Sequence, residues 1–224
     1  VSTVLAFDCS VTGQGVAVVR DGTVLACLRE EGRDQAARLL PTIGLALSEA
    51  RVTRRAVELI AVSTGPGSFT GVRVGLAAAR GLALGLGVPL AGIPTTAVLR
   101  AQAPPTDRLV VAAVDTRLGD WFCTVGDDGA PFAATAGEMA ARLSGDACLV
   151  VGHEVAPLVA RLCEGGIDAV ARDSPPDAAT LALLAAADGV ALWQARNRTE
   201  GLPRPLYLRG VNITSPDGTR RTVE

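Results

Sequence analysis

The chain has 224 residues, 49% of them apolar and 3% aromatic, with a formal charge of −2: an ordinary globular composition, with material for one large core or two smaller ones. No basic run is longer than Arg54-Arg55 or Arg220-Arg221, which excludes strong nucleic-acid binding by this chain alone. Every cation apart from His153 is arginine, which excludes a Walker A loop with its lysine, and a lone histidine excludes a two-histidine zinc site.

Val4 to Phe7, Gly15 to Arg20 and Thr23 to Leu28 are predicted as an antiparallel meander, its second turn marked by Asp21-Gly22. Asp34 to Ala50 has the apolar spacing of an amphipathic helix, with a kink or early stop expected at Pro41. A strand over Leu59 to Ser63 leads through a glycine-rich turn into a small-residue helix near Thr70 to Leu86, followed by a short strand near Pro89 to Ile93. Gln102 to Asp107, with Pro104-Pro105, marks a break, so residues 1–102 are expected as a first lobe.

The order then partly repeats over 103–210. Strands are expected at Leu109 to Asp115, Asp120 to Val125 and Pro131 to Ala134, then a helix at Gly137 to Leu143, a strand at Ala147 to Gly152 and a helix at Val155 to Glu164. A long helix over 177–195 is expected to pack back on the first lobe. Pro203 onward reads as an extended docking segment, and 211–224 as a polar, disordered tail.

Cys9, Cys27, Cys123, Cys148 and Cys163 are widely spaced, form no CxxC pair and sit in apolar contexts, which suits reduced, buried thiols in the cytoplasm. Val1 to Phe7 is strand-like and ends at Asp8, so no leader is expected. The apolar helix, read over Val72 to Val88, carries Arg73 and Arg80 and is short and glycine-rich for a membrane span. A cytoplasmic protein with no membrane partner is the expectation.

The segment Ser63 to Gly75 holds the main chemical signal. Gly65, Pro66 and Gly67 force a sharp turn, and Ser68 or Thr70 can cap the following helix, whose first N–H groups then attract anions. Asp8 at the end of the first strand, followed by Ser10, is either a second phosphate loop facing hydrated Mg²⁺ or a turn former. Asp115 to Asp120 holds the corresponding place in the second lobe, as a further phosphate loop or a charged hairpin. His153 reads as a surface or capping residue. The helix carries Gly71, Gly75, Gly81 and Gly85; such a helix either packs tightly on its own sheet or also offers a smooth face to a partner.

Leu5 to Ser10, Gly65 to Arg73, Asp115 to Asp120 and Pro205 to Arg209 together resemble the bacterial TsaB (YeaZ) family, over essentially the whole chain. The resemblance implies an α/β, actin-like, two-lobed fold of the sugar kinase and Hsp70 superfamily, each lobe a mixed sheet with flanking helices. It implies no catalysis by this chain alone, no metal site and no intrinsic cofactor. The cleft would be vestigial, with Asp8, Ser10, Gly65, Gly67, Ser68 and Thr70 as its phosphate loops. The implied role is that of obligatory partner to a metal-dependent threonylcarbamoyl transferase paralogue. With a small P-loop ATPase subunit, and with ATP and Mg consumed by the assembled complex, the pair modifies N6 of adenosine 37 in tRNAs reading codons that begin with A. Pairing, with the paralogue or as a homodimer, would use Leu39 and Ile43 of the first helix and Val72, Arg73, Leu76, Ala79 and Arg80 of the glycine-rich one. Members often carry a histidine where this chain has Arg33-Asp34-Gln35. The alternative is an autonomous actin-like ATPase or small-molecule kinase using Asp8 for Mg²⁺ and Asp115 as base.

Overall fold

A computed structural model describes residues 2–32, 34–127 and 129–209, with the backbone of 211–214 and 220–223. Two five-stranded sheets share one topology. In the first, β1 (Thr3–Asp8), β2 (Gln14–Arg20) and β3 (Thr23–Glu30) form the antiparallel meander, and β4 (Leu59–Ser63) and β5 (Leu90–Ile93) extend it in parallel, in the order β3-β2-β1-β4-β5. In the second, β6 (Leu109–Asp115), β7 (Trp121–Val125) and β8 (Phe132–Ala134) are antiparallel and β9 (Cys148–His153) and β10 (Ala169–Asp173) parallel, in the order β10-β9-β6-β7-β8. Reversed, that is the order of the first sheet.

Strand β1 is buried along its whole length because helices cover both of its faces. Leu5 and Phe7 point to the side of α1 (Gln35–Glu49) and α2 (Phe69–Leu86), where Leu39, Ile43, Leu47, Val72, Leu76 and Ala79 complete one core. Val4 and Ala6 point to the other side, against Leu181, Ala182 and Ala185 of α6 (Ala178–Asp188). The second sheet packs on α4 (Ala136–Leu143) and α5 (Ala156–Glu164) through Met139, Leu143, Leu158 and Leu162.

Helix α1 runs through Pro41 without stopping. Pro41 and Ala37, whose carbonyl loses its partner, are both exposed, so water can satisfy that group. In α2, Ser68 caps the start and Gly87, at φ +69°, ends the helix. Its inward residues, Gly71, Val72, Gly75, Leu76, Ala79 and Ala83, follow the helical period. The helix has the length and composition of a short membrane span, yet this face is part of the first core.

The long helix expected over 177–195 is two helices, α6 and α7 (Val190–Thr199), bent by 82° at Gly189, whose φ of +79° no helix interior adopts. α3 (Thr95–Ala101) and β10 carried no separate sequence signal. Two of the five cysteines, Cys27 and Cys163, are exposed, which corrects the expectation that all are buried. In the tail, Val211–Thr214 pairs antiparallel with Arg220–Val223, where disorder was expected; residues 210, 215–219 and 224, and Arg33, lie outside the described residues.

Candidate functional site: the cleft between the lobes

The β1–β2 loop, the start of α2, the β6–β7 loop, the end of β9 and the segment 206–209 enclose a cleft of about 860 Å³. Its first wall begins at Asp8, which is fully buried and does not line the cleft. Asp8 Oδ1 accepts the Ser10 N–H at 3.2 Å and Oδ2 accepts the Ser10 hydroxyl at 2.7 Å, an Asx turn that shapes the loop. Burial pushes the carboxyl above its ordinary value; the hydroxyls of Ser63 and Ser10 and the Ser10 N–H oppose this. Ser63 Oγ, near enough to act on that charge, meets no partner at hydrogen-bonding geometry.

The glycine-rich turn is stitched to the sheet by its own backbone. The Ser68 N–H donates to Ser10 O at 2.7 Å and the Gly71 N–H to Ser68 Oγ at 3.2 Å, so two amides that a phosphate would use are engaged internally. Thr95 N–H donates to Gly65 O at 2.8 Å, and Gly65 does not line the cleft. A Cβ at Gly67 would overlap Ser10 O, and one at Gly71 would overlap Cys9 O; these glycines serve close backbone approach. Gln35 Nε2 donates to Val11 O at 3.1 Å and to Gly13 O at 2.8 Å, clamping the β1–β2 loop from α1.

The second wall repeats the first. Asp115 Oδ1 accepts the Arg117 N–H at 2.7 Å, the same two-residue turn as Asp8 with Ser10, and Thr116 closes the loop on Asp120. Arg117, at φ +59°, reaches Glu154 Oε2 at 3.1 Å and, across the cleft, Thr12 Oγ1 at 3.3 Å. Glu154 is at φ +58° and donates its N–H to Asp173 Oδ1 at 3.0 Å. His153 Nδ1 lies 3.9 Å from the same Asp173 oxygen. Among the described residues, no group of three or more His, Cys, Asp or Glu could hold a metal ion.

The chain's own segment Pro203 to Arg209 crosses the first lobe and enters the cleft, which Leu206 to Arg209 line. Leu206 N–H donates to Thr64 O at 2.8 Å, Arg80 Nη2 to Pro203 O at 2.6 Å and Arg73 Nε to Tyr207 Oη at 2.7 Å. Arg73 also lies 3.6 Å over the Phe69 ring, and the Phe69 and Tyr207 rings are 5.7 Å apart. Arg209 pairs with Asp120 of the second lobe and lies over Phe122.

The structure thus brings Ser10, Gly67, Ser68 and Thr70 together at the cleft and withdraws Asp8 and Gly65 from it. It overturns most of the expected pairing surface: Leu39, Ile43, Val72, Leu76 and Ala79 are core residues, because they form the inward stripe of their helices. Arg73 and Arg80 bind the segment Pro203 to Arg209 instead. The exposed side of α1 and α2 carries the apolar Leu40, Leu45, Ala77, Gly81, Leu84 and Gly85, with Arg38, Ser48, Glu49 and Thr70 among them. Gln35 and Glu154 were not expected at the cleft; Tyr207 and Arg209 lie in the segment expected to dock and to carry part of the family resemblance.

A family model described as TsaD, tRNA N6-adenosine threonylcarbamoyltransferase, matches residues 29–142. The tRNA threonylcarbamoyladenosine biosynthesis protein TsaB of Escherichia coli K12 is 35% identical over 121 residues, 53% of this chain and 52% of that protein. The chain thus spans about half the length of the curated relatives it matches. A solved Pseudomonas aeruginosa protein described as similar to peptidase YEAZ superposes with a TM-score of 0.73 at 29% identity, covering 93% of this chain and 100% of that one. Component A of (R)-2-hydroxyglutaryl-CoA dehydratase from Acidaminococcus fermentans, TM-score 0.50 at 11% identity over 82% of this chain and 97% of that one, shares the fold alone. With two like sheets, each flanked by helices and facing the other across one cleft, this is the actin-like two-lobed fold, and the chain belongs to the TsaB (YeaZ) family.

Proposed function

We propose that this chain is a non-catalytic, obligatory subunit of the cytoplasmic assembly that transfers threonylcarbamoyl to N6 of adenosine 37 in tRNAs reading codons that begin with A. Its partners in this reading are the metal-dependent transferase paralogue and a small P-loop ATPase subunit. The tRNA is reached through the complex, and ATP and Mg²⁺ are consumed there. The paralogue docks on the outward face of α1 and α2, which in isolation also suits a second copy of the chain.

One observation carries the reading. Leu40, Leu45 and Leu84 are 57%, 56% and 85% exposed on two helices that pack side by side, with Ala77, Gly81 and Gly85 leaving the surface of α2 smooth. Large apolar side chains left this open to water on neighbouring helices suit a protein interface. The alternative, an autonomous ATPase or kinase, needs Asp8 to reach a ligand, and Asp8 is sealed behind the Ser10 turn.

Titration calorimetry of the purified chain tests both. Submicromolar binding to the paralogue with little heat from Mg-ATP is expected. Leu84→Glu, at a position open to solvent, should weaken that binding by at least about thirtyfold with the melting curve unchanged. Tight Mg-ATP binding without paralogue contact would establish the alternative.

A further inference from the structure

The lobes are joined at a hinge that lies away from the cleft. Gln102, just after α3, donates from Nε2 to Ser174 Oγ at 2.9 Å and Pro175 O at 3.0 Å, and its Oε1 accepts the Asp177 N–H at 2.9 Å. One side chain therefore ties the connection that leaves the first lobe to the one that returns, and none of these residues lines the cleft. A fold hinged in this way admits rotation of one lobe against the other unless something spans the cleft itself.

We propose that Pro203 to Arg209 is a built-in latch, which fixes the angle between the lobes in the place where a bound ligand would otherwise do so. Its first-lobe anchors are Arg80 on Pro203 O, Thr64 O on the Leu206 amide, and the stack of Phe69, Arg73 and Tyr207. Its second-lobe anchor is the ion pair of Arg209 with Asp120, and the buried Asp120 is itself held in the Thr116 loop. The stack is built on Phe69 and Arg73 in the first two turns of α2, so the contacts that close the latch lie beside the helix N-terminus, whose Ser68 and Thr70 stay open to the cleft. Arg100 on Asp127, away from the cleft, and the packing of Val11 with Val114 and Val151 also join the lobes; across the cleft itself, beside the latch, Arg117 to Thr12 is a hydrogen bond of 3.3 Å between side chains open to solvent. The latch gives the segment Pro205 to Arg209 a role that pairing through α1 and α2 does not require, and it stands independently of the proposed function.

The native thiols supply the test. Cys27 on β3 and Cys163 on α5 are exposed, one on each lobe, whereas Cys9, Cys123 and Cys148 are buried. Spin labels on the two exposed thiols of the full chain report the inter-lobe distance by pulsed electron paramagnetic resonance. The native chain should give one narrow distribution, and Tyr207→Ala and Arg209→Ala should each broaden it and move it to a new mean. In parallel, hydrogen exchange of the Leu206 amide should accelerate at least about tenfold, while amides of Ile60 to Val62 and Val111 to Ala113 keep their protection. Tyr207→Phe keeps the ring and removes only the hydroxyl that Arg73 meets; it serves if an alanine variant loses its folded core, and a partial broadening is expected. A broad native distribution, or a native-like narrow one in folded variants, would overturn the proposal.

Discussion

Gly71 and Gly81 occupy the same helix, one buried and the other exposed, so the same substitution separates their roles. At Gly81 nothing lies within 4 Å of an added Cβ, and Gly81→Ala should stabilise the chain by about 0.5–1 kcal/mol through helix propensity. At Gly71 the Cβ would overlap the Cys9 carbonyl, so Gly71→Ala should destabilise by about 1–3 kcal/mol in spite of the same propensity gain. Urea denaturation of the two variants should move the midpoint in opposite directions, and equal shifts would remove the close-approach role. Asp8 allows a test by pH. Burial raises its folded value above the ordinary 3.8, so its contribution to stability is full below the unfolded value and is lost as pH rises through the folded one. Asp8→Asn keeps an acceptor for the Ser10 N–H and removes the buried charge. Its stability relative to the native chain should therefore rise with pH over that window. Parallel stability curves between about pH 4 and 8 would mean that Asp8 ionises in the fold as freely as in water.

At the scale of elements, β5 is an edge strand that the fold covers without another strand. Asn197 of α7 accepts the Leu90 N–H at 2.7 Å and donates to Leu90 O at 2.9 Å, taking the place of a neighbouring peptide. Asn197→Ala should cost about 1–3 kcal/mol, since both Leu90 groups lose their partner. Thermal melting gives the size, and faster exchange confined to the Leu90 amide gives the cause. None of this was legible beforehand, because a lone Asn in a polar helix has no pattern. What was legible follows from local chemistry: the Asp21-Gly22 hairpin, the cap at Ser68 and the break at Pro104-Pro105. The inward face of α2 was not, because a helix of Gly, Ala, Val, Leu and Arg offers apolar residues on every side, and only its neighbour β4 settles which are buried. The loops of the cleft were found, but where the Asp8 carboxylate and the helix amides spend their hydrogen bonds depends on Ser10 and Ser68 meeting in space.

At the scale of the whole molecule, the two like lobes exchange their third helices. α3 follows the first sheet in sequence and packs largely on β6 of the second, with Leu99 among Ala112, Val114 and Val151. α6 follows the second sheet and packs on β1 and β2 of the first. A division of the chain at residue 102 therefore cuts through both cores. Without α6, the Val4, Ala6 and Ala61 face of the first sheet would lie open to water next to Val19, Leu59 and Ala91. That is more apolar surface than a folded sheet sustains, since removing even one buried leucine from such a core costs about 2–5 kcal/mol. Residues 1–102 expressed alone should show no cooperative melting transition. Fusing residues 177–200 behind them through a flexible linker should restore protected amides at Leu5 and Phe7, because α6 returns to the face that β1 presents. A cooperative transition in the short fragment would mean that α1 and α2 alone suffice to hold the first sheet, and that the exchanged helix orients the lobes without stabilising either.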